Sequence, residues 1–300
     1  MIGTPGPAGG PSARRGGFPV VGRAAVLGRP VNHSLSPVLH QAAYAALGLD
    51  GWRYEAIKCD ESGLAPLLNA SGPEVVGYSC TMPLKREVLR VAGSVSAEAA
   101  AIGAGNTLVR HAGRAPGWLA DNTDWIGIRD ALAARGISPA GRVAVLGAGG
   151  TAQAALAALA DAHRVTVLVR DPSRATDLVN TAGRLNRDVR VGRFSEPADL
   201  AALRDADLVL STLPPGAADF LATVVGERTW APGQALLDAV YVPWPTALAG
   251  AAAAAGAAIV SGASMLLYQA VRQVELMTGR AAPVEAMRAA LLVAAPGCAA

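Results

Sequence analysis

Two charged residues in the amino-terminal half of the chain could exchange a proton with a hydroxyl group. Lys85 ends the run TMPLK, and Asp121 opens the run DNTD. Oxidation of a secondary alcohol needs a group that takes the hydroxyl proton, and the reverse reaction needs an acid. An amine can do both, and a neighbouring carboxylate can position it. We predict Lys85 and Asp121 as the catalytic pair. The alternative is an exposed helix start at Lys85 and a helix-capping turn at DNTD, with Asp124 as the N-cap.

The lysine usage of the chain favours the catalytic reading of Lys85. The sequence has 26 basic residues, and lysine occurs only at Lys58 and Lys85, as the coding bias of a GC-rich genome would produce. A guanidinium cannot lose its proton in a protein, whereas an amine can. A lysine next to Arg86 therefore indicates a site that needs an amine, although Lys58 has no predicted role.

Polar residues beside glycine or proline occur in three further segments. They are NHSLSP at 32–37, SCTMPLK at 79–85 and GNT at 105–107. Each segment follows a predicted strand or lies at a domain junction, where open α/β sheets bind ligands. Hydroxyl and amide groups without an excess of charge suit a neutral polyol or a sugar-like acid. Of the histidines, only His33 lies near a motif, and we expect it to hydrogen-bond within its turn.

A glycine-rich loop indicates dinucleotide binding. The run GAGGTA at 147–152 fits G-x-G-x-x-G/A, follows a predicted buried strand and opens an Ala/Leu helix, which is the context that this motif requires. Gly147 would make the tight turn, Gly149 would bring backbone amides to the pyrophosphate, and Ala152 would keep helix and strand close. The alternative is an ordinary βα turn in an Ala/Gly-rich chain.

The end of the next strand favours NADP over NAD. NAD-binding proteins place a carboxylate there to accept from the ribose 2′-OH, but this strand ends at Val169 and is followed by Arg170 and Arg174. The rigid, planar guanidinium of arginine binds phosphate through two parallel hydrogen bonds. Asp171 leaves NAD possible, because it could repel a 2′-phosphate or accept from a 2′-OH. It could also shape only the Asp171-Pro172 turn.

The hydrophobic pattern predicts an α/β chain with two domains. An α/β substrate-binding domain precedes a Rossmann-like, doubly wound dinucleotide-binding domain. Predicted strands of the first domain are 24–27, 54–57 and 75–78, and Ser36-Pro37 opens its first helix as N-cap and N1 residues. The second region alternates helices at 125–135, 151–161, 173–185 and 197–204 with strands at 142–146, 165–169, 189–193, 207–212, 235–240 and 257–261. Two helices at 264–278 and 284–294 follow. We assign 22–122 with 263–300 to the catalytic domain and 123–262 to the cofactor domain.

Composition excludes several classes of protein. The 300 residues are 52% hydrophobic and 16% charged, which is typical of a globular chain rather than a disordered one. A net charge of +3 does not indicate a strongly basic surface of the kind that binds nucleic acid. Three separated cysteines predict no disulfide framework or metal site and favour the cytoplasm. The uncharged run 239–271 contains two prolines and three glycines, so we do not predict a membrane span. Residues 1–21 lack a signal-peptide core and predict a disordered tail.

Taken together, these motifs resemble the shikimate dehydrogenase family, and the alanine-rich composition is similar to that of its actinobacterial members. The matching runs occur in family order over about residues 22–290: NHSLSPVLH at 32–40, TMPLK at 81–85, GNTL at 105–108, DNTD at 121–124, GAGGTA at 147–152, VRDPSR at 169–174, YVPWPT at 241–246 and SGASMLLYQA at 261–270. The resemblance implies NADPH-dependent reduction of 3-dehydroshikimate to shikimate, in aromatic amino-acid biosynthesis, by a monomer or homodimer.

The resemblance also implies roles for individual residues. Lys85 and Asp121 would be the catalytic pair. Substrate-binding residues would be Ser34 and Ser36 at the carboxylate, with Thr81, Asn106 and Gln269 at hydroxyl or carboxylate groups and Tyr241 nearby. Cofactor-binding residues would be Gly147, Ala148, Gly149, Gly150 and Thr151 at the phosphates, Arg170 and Arg174 at the 2′-phosphate, and Ala239, Gly262 and Met265 at the nicotinamide.

Three positions depart from the family pattern and keep alternatives open. Ser79 stands where asparagine is frequent, Trp125 stands where DNTD is often followed by glycine, and Asp171 stands where threonine is frequent. The alternatives are an NAD-using quinate/shikimate dehydrogenase and a non-catalytic ligand-binding paralogue. A folate-linked dehydrogenase is more distant, because the short polar loops suit a small hydroxy acid better than a pterin.

Overall fold

The computed structural model describes residues 22–111 and 117–298. The segment 1–21, for which we predict a disordered tail, lies outside these residues. Within the described residues the chain forms two six-stranded sheets, each covered by helices, as the α/β prediction requires.

The first sheet is mixed, with strand order β2-β1-β3-β5-β6-β4. Its strands are β1 (Arg23–Gly28), β2 (Arg53–Lys58), β3 (Val75–Cys80), β4 (Ser94–Val95), β5 (Thr107–His111) and β6 (Gly117–Asp121). The three predicted strands are β1 to β3, and they run parallel. The hairpin β5–β6 is antiparallel and was not predicted. Its strands carry polar residues such as Arg110 and do not form an apolar run that sequence patterns detect.

Between Gly22 and His111 the structure describes four helices: α1 (Ser36–Ala46), α2 (Glu61–Ala70), α3 (Glu87–Val91) and α4 (Ala97–Ile102). The prediction that Ser36 caps α1 is wrong. Leu35 occupies the N-cap position without a side-chain bond, and Ser36 is the first helical residue. The hydroxyl of Ser34 instead accepts a hydrogen bond of 3.3 Å from the Ser36 amide, and the Ser36 side chain is left to face a cleft.

The second sheet is parallel, with order β9-β8-β7-β10-β11-β12. Its strands are β7 (Arg142–Leu146), β8 (Arg164–Val169), β9 (Val189–Arg193), β10 (Leu208–Ser211), β11 (Ala235–Asp238) and β12 (Ala258–Ser261). In chain order this is 3-2-1-4-5-6, the arrangement of dinucleotide-binding folds. The strand order reverses between β7 and β10, so a crevice opens there at the carboxyl ends of the strands.

Up to residue 298, the following helices come after the first sheet: α5 (Asp124–Ala134), α6 (Gly150–Ala158), α7 (Thr176–Arg184), α8 (Pro197–Asp205), α9 (Ala222–Gly226), α10 (Ala247–Ala254), α11 (Gly262–Thr278) and α12 (Val284–Ala294). Apolar side chains on both faces of the second sheet are buried under these helices. The predicted strands and helices of this half occur close to their predicted bounds. A 3₁₀ turn at Pro172–Ala175 replaces the first turn of the helix predicted from residue 173.

Helices α5 and α11 connect the two sheets. They pack so closely that a Cβ added at Gly127 would lie 2.7 Å from the carbonyl oxygen of Met265. Helix α11 also contacts β3 and β5 of the first sheet. The cleft between the two sheets therefore has a wall that belongs to both.

The uncharged run 239–271 forms α10, β12 and the first part of α11. None of the helices in the described part of the chain combines the length and the apolar character that crossing a bilayer requires.

Candidate active site

A cleft of about 260 Å³ lies between the two sheets and collects most of the predicted site residues. From the first part of the chain, the loop after β11 and helix α11 it is lined by Ser34, Ser36, Thr81, Lys85, Asn106, Tyr241 and Gln269. From the side of the second sheet it is lined by Thr151, Ala239, Gly262 and Met265. These residues come from distant parts of the sequence, and the fold brings them to one cavity.

Lys85 is held between two side chains of the other half of the cleft. Its Nζ donates to Asp124 Oδ2 at 2.5 Å and to Thr151 Oγ1 at 2.9 Å. The Lys85 side chain is 19% exposed and that of Asp124 is 8% exposed. The amine is thus partly dehydrated and fixed in direction, and it still reaches the open cleft.

Asn106 fixes the other side of the same carboxylate. Its Nδ2 donates to Asp124 Oδ1 at 2.8 Å, to Thr123 Oγ1 at 3.0 Å and to Gln269 Oε1 at 3.2 Å. Its Oδ1 accepts from the Thr123 amide at 2.7 Å. A single buried amide therefore ties together β5, the start of α5 and α11.

The structure corrects the predicted pairing of Lys85 with Asp121. Asp121 is the last residue of β6, and its Oδ1 accepts from Ser96 Oγ at 2.6 Å and from the Asn122 amide at 2.8 Å. Ser96 in turn caps α4. Asp121 does not line the cleft. It stabilises the chain at the N-terminus of α4. Asp124, not Asp121, makes the contact with Lys85.

The error lies in choosing between two aspartates in one short motif. DNTD places carboxylates three residues apart, and the chain changes from strand to helix between them. Asp124 is the first residue of α5 rather than its N-cap, which is Thr123. The Asp124 amide donates to Asn122 Oδ1 at 2.9 Å, so the turn aims its carboxylate into the cleft.

Ser79 belongs to a buried polar network that the sequence did not reveal. Tyr54 donates to Ser79 Oγ at 2.5 Å, and Ser79 donates to Gln273 Oε1 at 2.6 Å. Gln273 Nε2 completes the chain by donating to Thr107 Oγ1 at 2.8 Å. Burial raises the pKa of Tyr54, and the hydrogen bond with Ser79 opposes this shift only in part. Both Ser79 and Gln273 also reach the cleft wall.

Ser34, Ser36 and Tyr241 lie close together along one rim of the cleft. Tyr241 is largely enclosed, and burial raises the pKa of its hydroxyl, against the lowering effect of hydrogen bonds with the Leu35 backbone and the Ser34 side chain. His33 also lies at this rim. Three hydroxyl groups thus converge on one end of the cleft and can donate hydrogen bonds to an anionic or hydroxylated ligand.

The glycine-rich loop lies where β7 ends and α6 begins. Gly147 adopts φ of +99°, and a Cβ there would lie 2.8 Å from Thr212 Oγ1, so a side chain is excluded. Gly149 is the N-cap residue of α6. A Cβ added at this position would meet nothing within 4 Å. The loop therefore offers backbone amides at a helix N-terminus to open space, which suits a pyrophosphate.

A second cavity, of about 520 Å³, extends from this loop along the end of β8. It is lined by Gly147, Ala148 and Gly149 and by the predicted phosphate contacts Arg170 and Arg174. Asp171 lies in the same wall. The Ser173 hydroxyl and amide hydrogen-bond to its carboxylate at 2.8 and 3.0 Å and lower its pKa. Asp171 thus stabilises the Asp171-Pro172 turn, which is one of the roles that we predict for it from the sequence.

Sequence models of known families match three segments of the chain. The shikimate dehydrogenase substrate binding domain matches residues 26–108, and the shikimate 5'-dehydrogenase C-terminal domain matches residues 262–292. Between them, the saccharopine dehydrogenase NADP binding domain matches residues 143–260.

Relatives and solved structures cover nearly the whole chain. The shikimate dehydrogenase (NADP(+)) of Natronomonas pharaonis is 40% identical over 269 residues, which are 89% of this chain and 97% of that protein. The crystal structure of Mycobacterium tuberculosis shikimate dehydrogenase has 43% identity and a TM-score of 0.82, covering 91% of this chain and 99% of that one. The Thermus thermophilus enzyme in complex with NADP(H) and shikimate has 34% identity and a TM-score of 0.77, covering 91% and 100%. With this identity over nine-tenths of its length, and with the family's motifs gathered around one cleft, the chain belongs to the shikimate dehydrogenase family.

Proposed function

We propose that this protein is an NADP-dependent shikimate dehydrogenase that reversibly reduces 3-dehydroshikimate to shikimate. The observation that carries the proposal is the Lys85–Asp124 pair, which faces a cleft of hydroxyl and amide groups beside a dinucleotide-type glycine loop. The relative from Natronomonas pharaonis, a shikimate dehydrogenase (NADP(+)), supports the same assignment.

We assign proton transfer to Lys85. In the reductive direction its ammonium would give a proton to the oxygen of the substrate carbonyl, and in the oxidative direction the amine would take the proton back. Asp124 would hold the amine in place through the 2.5 Å contact and balance its charge. Thr151 would restrict its rotation from the other side.

Substrate binding would use the polar groups of the same cleft. Ser34 and Ser36 would donate to the substrate carboxylate from the rim that also carries Tyr241. Thr81, Asn106 and Gln269 would contact ring hydroxyls. Asn106 and Gln269 are already hydrogen-bonded to each other, so both amides are held in fixed directions before a ligand binds.

The second cavity fits NADP. Open space beside the Gly149 backbone allows a pyrophosphate to approach, and Arg170 and Arg174 would bind the 2′-phosphate. NADPH, when bound, supplies the hydride for the carbonyl carbon. Ala239, Gly262 and Met265 line the substrate cleft and would contact the nicotinamide.

We also propose the domain division 22–122 with 263–300 and 123–262, supported by one sheet in each part. The protein would act as a monomer or homodimer on its small-molecule substrate. A cytoplasmic location is supported by three buried free cysteines in the described residues.

One assay tests the proposed function. The purified protein is mixed with shikimate or quinate and with NADP⁺ or NAD⁺, and the absorbance of reduced nicotinamide is followed. We expect the highest kcat/KM with shikimate and NADP⁺. Equal or better turnover with NAD⁺ would favour the NAD-using quinate/shikimate alternative. Binding of shikimate without turnover by either cofactor would favour a non-catalytic paralogue.

A further inference from the structure

Arg86 follows the proposed catalytic lysine, but its side chain contributes to the cofactor cavity. It precedes α3 in the first part of the chain. Its guanidinium forms an ion pair with Asp177 of α7, the helix between β8 and β9 of the second sheet. Arg86 and Asp177 line the same cavity as Arg170 and Arg174. The ion pair thus connects the two halves of the molecule at the rim of the proposed NADP site.

Helix α7 is fixed to the first part of the chain beside this ion pair. Thr181 Oγ1 donates to the carbonyl of Ile102 at 2.5 Å, and Arg184 Nε donates to the carbonyl of Ala101 at 2.8 Å. Both acceptors lie at the carboxyl end of α4. Because these bonds hold α7 in place, Asp177 stays at the rim of the cavity.

The carboxylates of the cavity wall bear on cofactor choice. Two of them, Asp171 and Asp177, line the cavity. Asp171 remains charged and accepts hydrogen bonds from the Ser173 hydroxyl and amide, whereas the charge of Asp177 is balanced by the Arg86 guanidinium. A 2′-phosphate carries up to two negative charges. Without Arg86 the charge of Asp177 would be unbalanced and would add to the repulsion of this phosphate by Asp171, whereas NAD⁺ lacks the phosphate.

We propose that Arg86 is a cofactor-specificity residue supplied by the substrate-binding half of the molecule. By neutralising Asp177 it allows the cavity to accept the 2′-phosphate of NADP, and it has little influence on NAD. This inference rests on the proposed function, because it places NADP in this cavity.

Calorimetric binding of NADP⁺, NAD⁺ and adenosine 2′,5′-bisphosphate to the full chain tests the inference. Arg86→Ala is expected to raise Kd for the two ligands with a 2′-phosphate by about fivefold, since both side chains of the ion pair are exposed, and to change Kd for NAD⁺ less than twofold. The double variant R86A/D177N is expected to regain most of the lost affinity, since the repelling carboxylate is gone. The effect of R86A should shrink at high salt.

Arg90→Ala is the matched control. Arg90 lies one turn further on, pairs with Glu87 and does not line the cavity, so its loss changes net charge equally and should leave all three Kd values unchanged. Unchanged selectivity in R86A, or a double variant as weak as R86A, would overturn the inference. Absence of NADP⁺ binding by the unmodified protein would instead refute the proposed function.

Discussion

At the scale of single residues, the chemistry depends on one amine and one carboxylate. We expect Lys85→Ala to lower kcat by roughly 10²–10⁴-fold with little change in KM, because proton transfer is lost while substrate contacts remain. Steady-state kinetics with shikimate and NADP⁺ measures this. Lys58→Ala is the control, since Lys58 is the other lysine of the chain and is exposed at the end of β2. Near-full kcat in K85A would refute the assignment.

The two aspartates of DNTD should separate in function and stability. Asp124→Asn removes the charge that holds Lys85, so we expect kcat to fall by about 10²-fold or more. Asp121→Asn weakens the contacts with Ser96 and the Asn122 amide. We expect it to lower unfolding free energy by about 1–2 kcal/mol and to leave kcat nearly unchanged. Steady-state kinetics gives kcat of both variants, and urea denaturation gives their unfolding free energies. The opposite pattern would restore the original pairing of Lys85 with Asp121.

At the scale of elements, the start of α11 is limited by a close backbone approach. A Cβ at Gly262 would lie 2.2 Å from the carbonyl oxygen of Ala239. Gly262→Ala must therefore displace the helix that carries Met265 and Gln269. We expect a loss of unfolding free energy on the order of 1–3 kcal/mol and a higher KM.

Gly250→Ala provides the control for that substitution. Gly250 lies inside α10 with open space where a Cβ would be added. Alanine is favoured over glycine inside a helix by about 1 kcal/mol, so this variant should unfold at an equal or higher urea concentration. Equal stability of G262A and G250A would show that the contact at Ala239 relaxes without cost.

Most elements of the second sheet followed from sequence patterns, because buried parallel strands are continuous apolar runs, as in Arg142–Leu146 and Arg164–Val169. The hairpin of β5 and β6 did not, since its strands contain polar residues and form no continuous apolar run. Asn106 directly precedes this hairpin, and Asp121 ends it. The turn from Asp121 into α5 then decides which aspartate reaches Lys85.

At the scale of the whole molecule, stability should depend on pH through a buried histidine. His40 of α1 stacks on Tyr54 at 3.9 Å, and its Nδ1 donates to the Ser36 carbonyl, while Nε2 has no partner among residues 22–111 and 117–298. Burial lowers the pKa of His40 to about 4, although the Ser36 hydrogen bond acts in the opposite direction. A proton on Nε2 would be buried without an acceptor.

The sign of the effect follows from proton binding. The unfolded chain binds a proton at His40 near pH 6.5 and the folded chain only near pH 4, so unfolding free energy should fall as pH drops through this window, by up to about 3 kcal/mol. Urea denaturation between pH 7 and 4.5 measures the slope. His40→Gln should flatten it, whereas a change at the exposed His163 should not. An unchanged slope in H40Q would contradict the argument.

The sequence by itself determined the class of fold and the glycine loop and favoured NADP, and its resemblance to the family named many of the residues that line the cleft. These features depend on local patterns: apolar runs, turn residues and short motifs with fixed spacing. Only the tertiary structure decided that Asp124 rather than Asp121 meets Lys85, that Ser79 bonds Gln273, and that Arg86 reaches Asp177. Each of these contacts joins residues 39 to 194 positions apart, and their partners are set by how the two sheets and the helices between them pack.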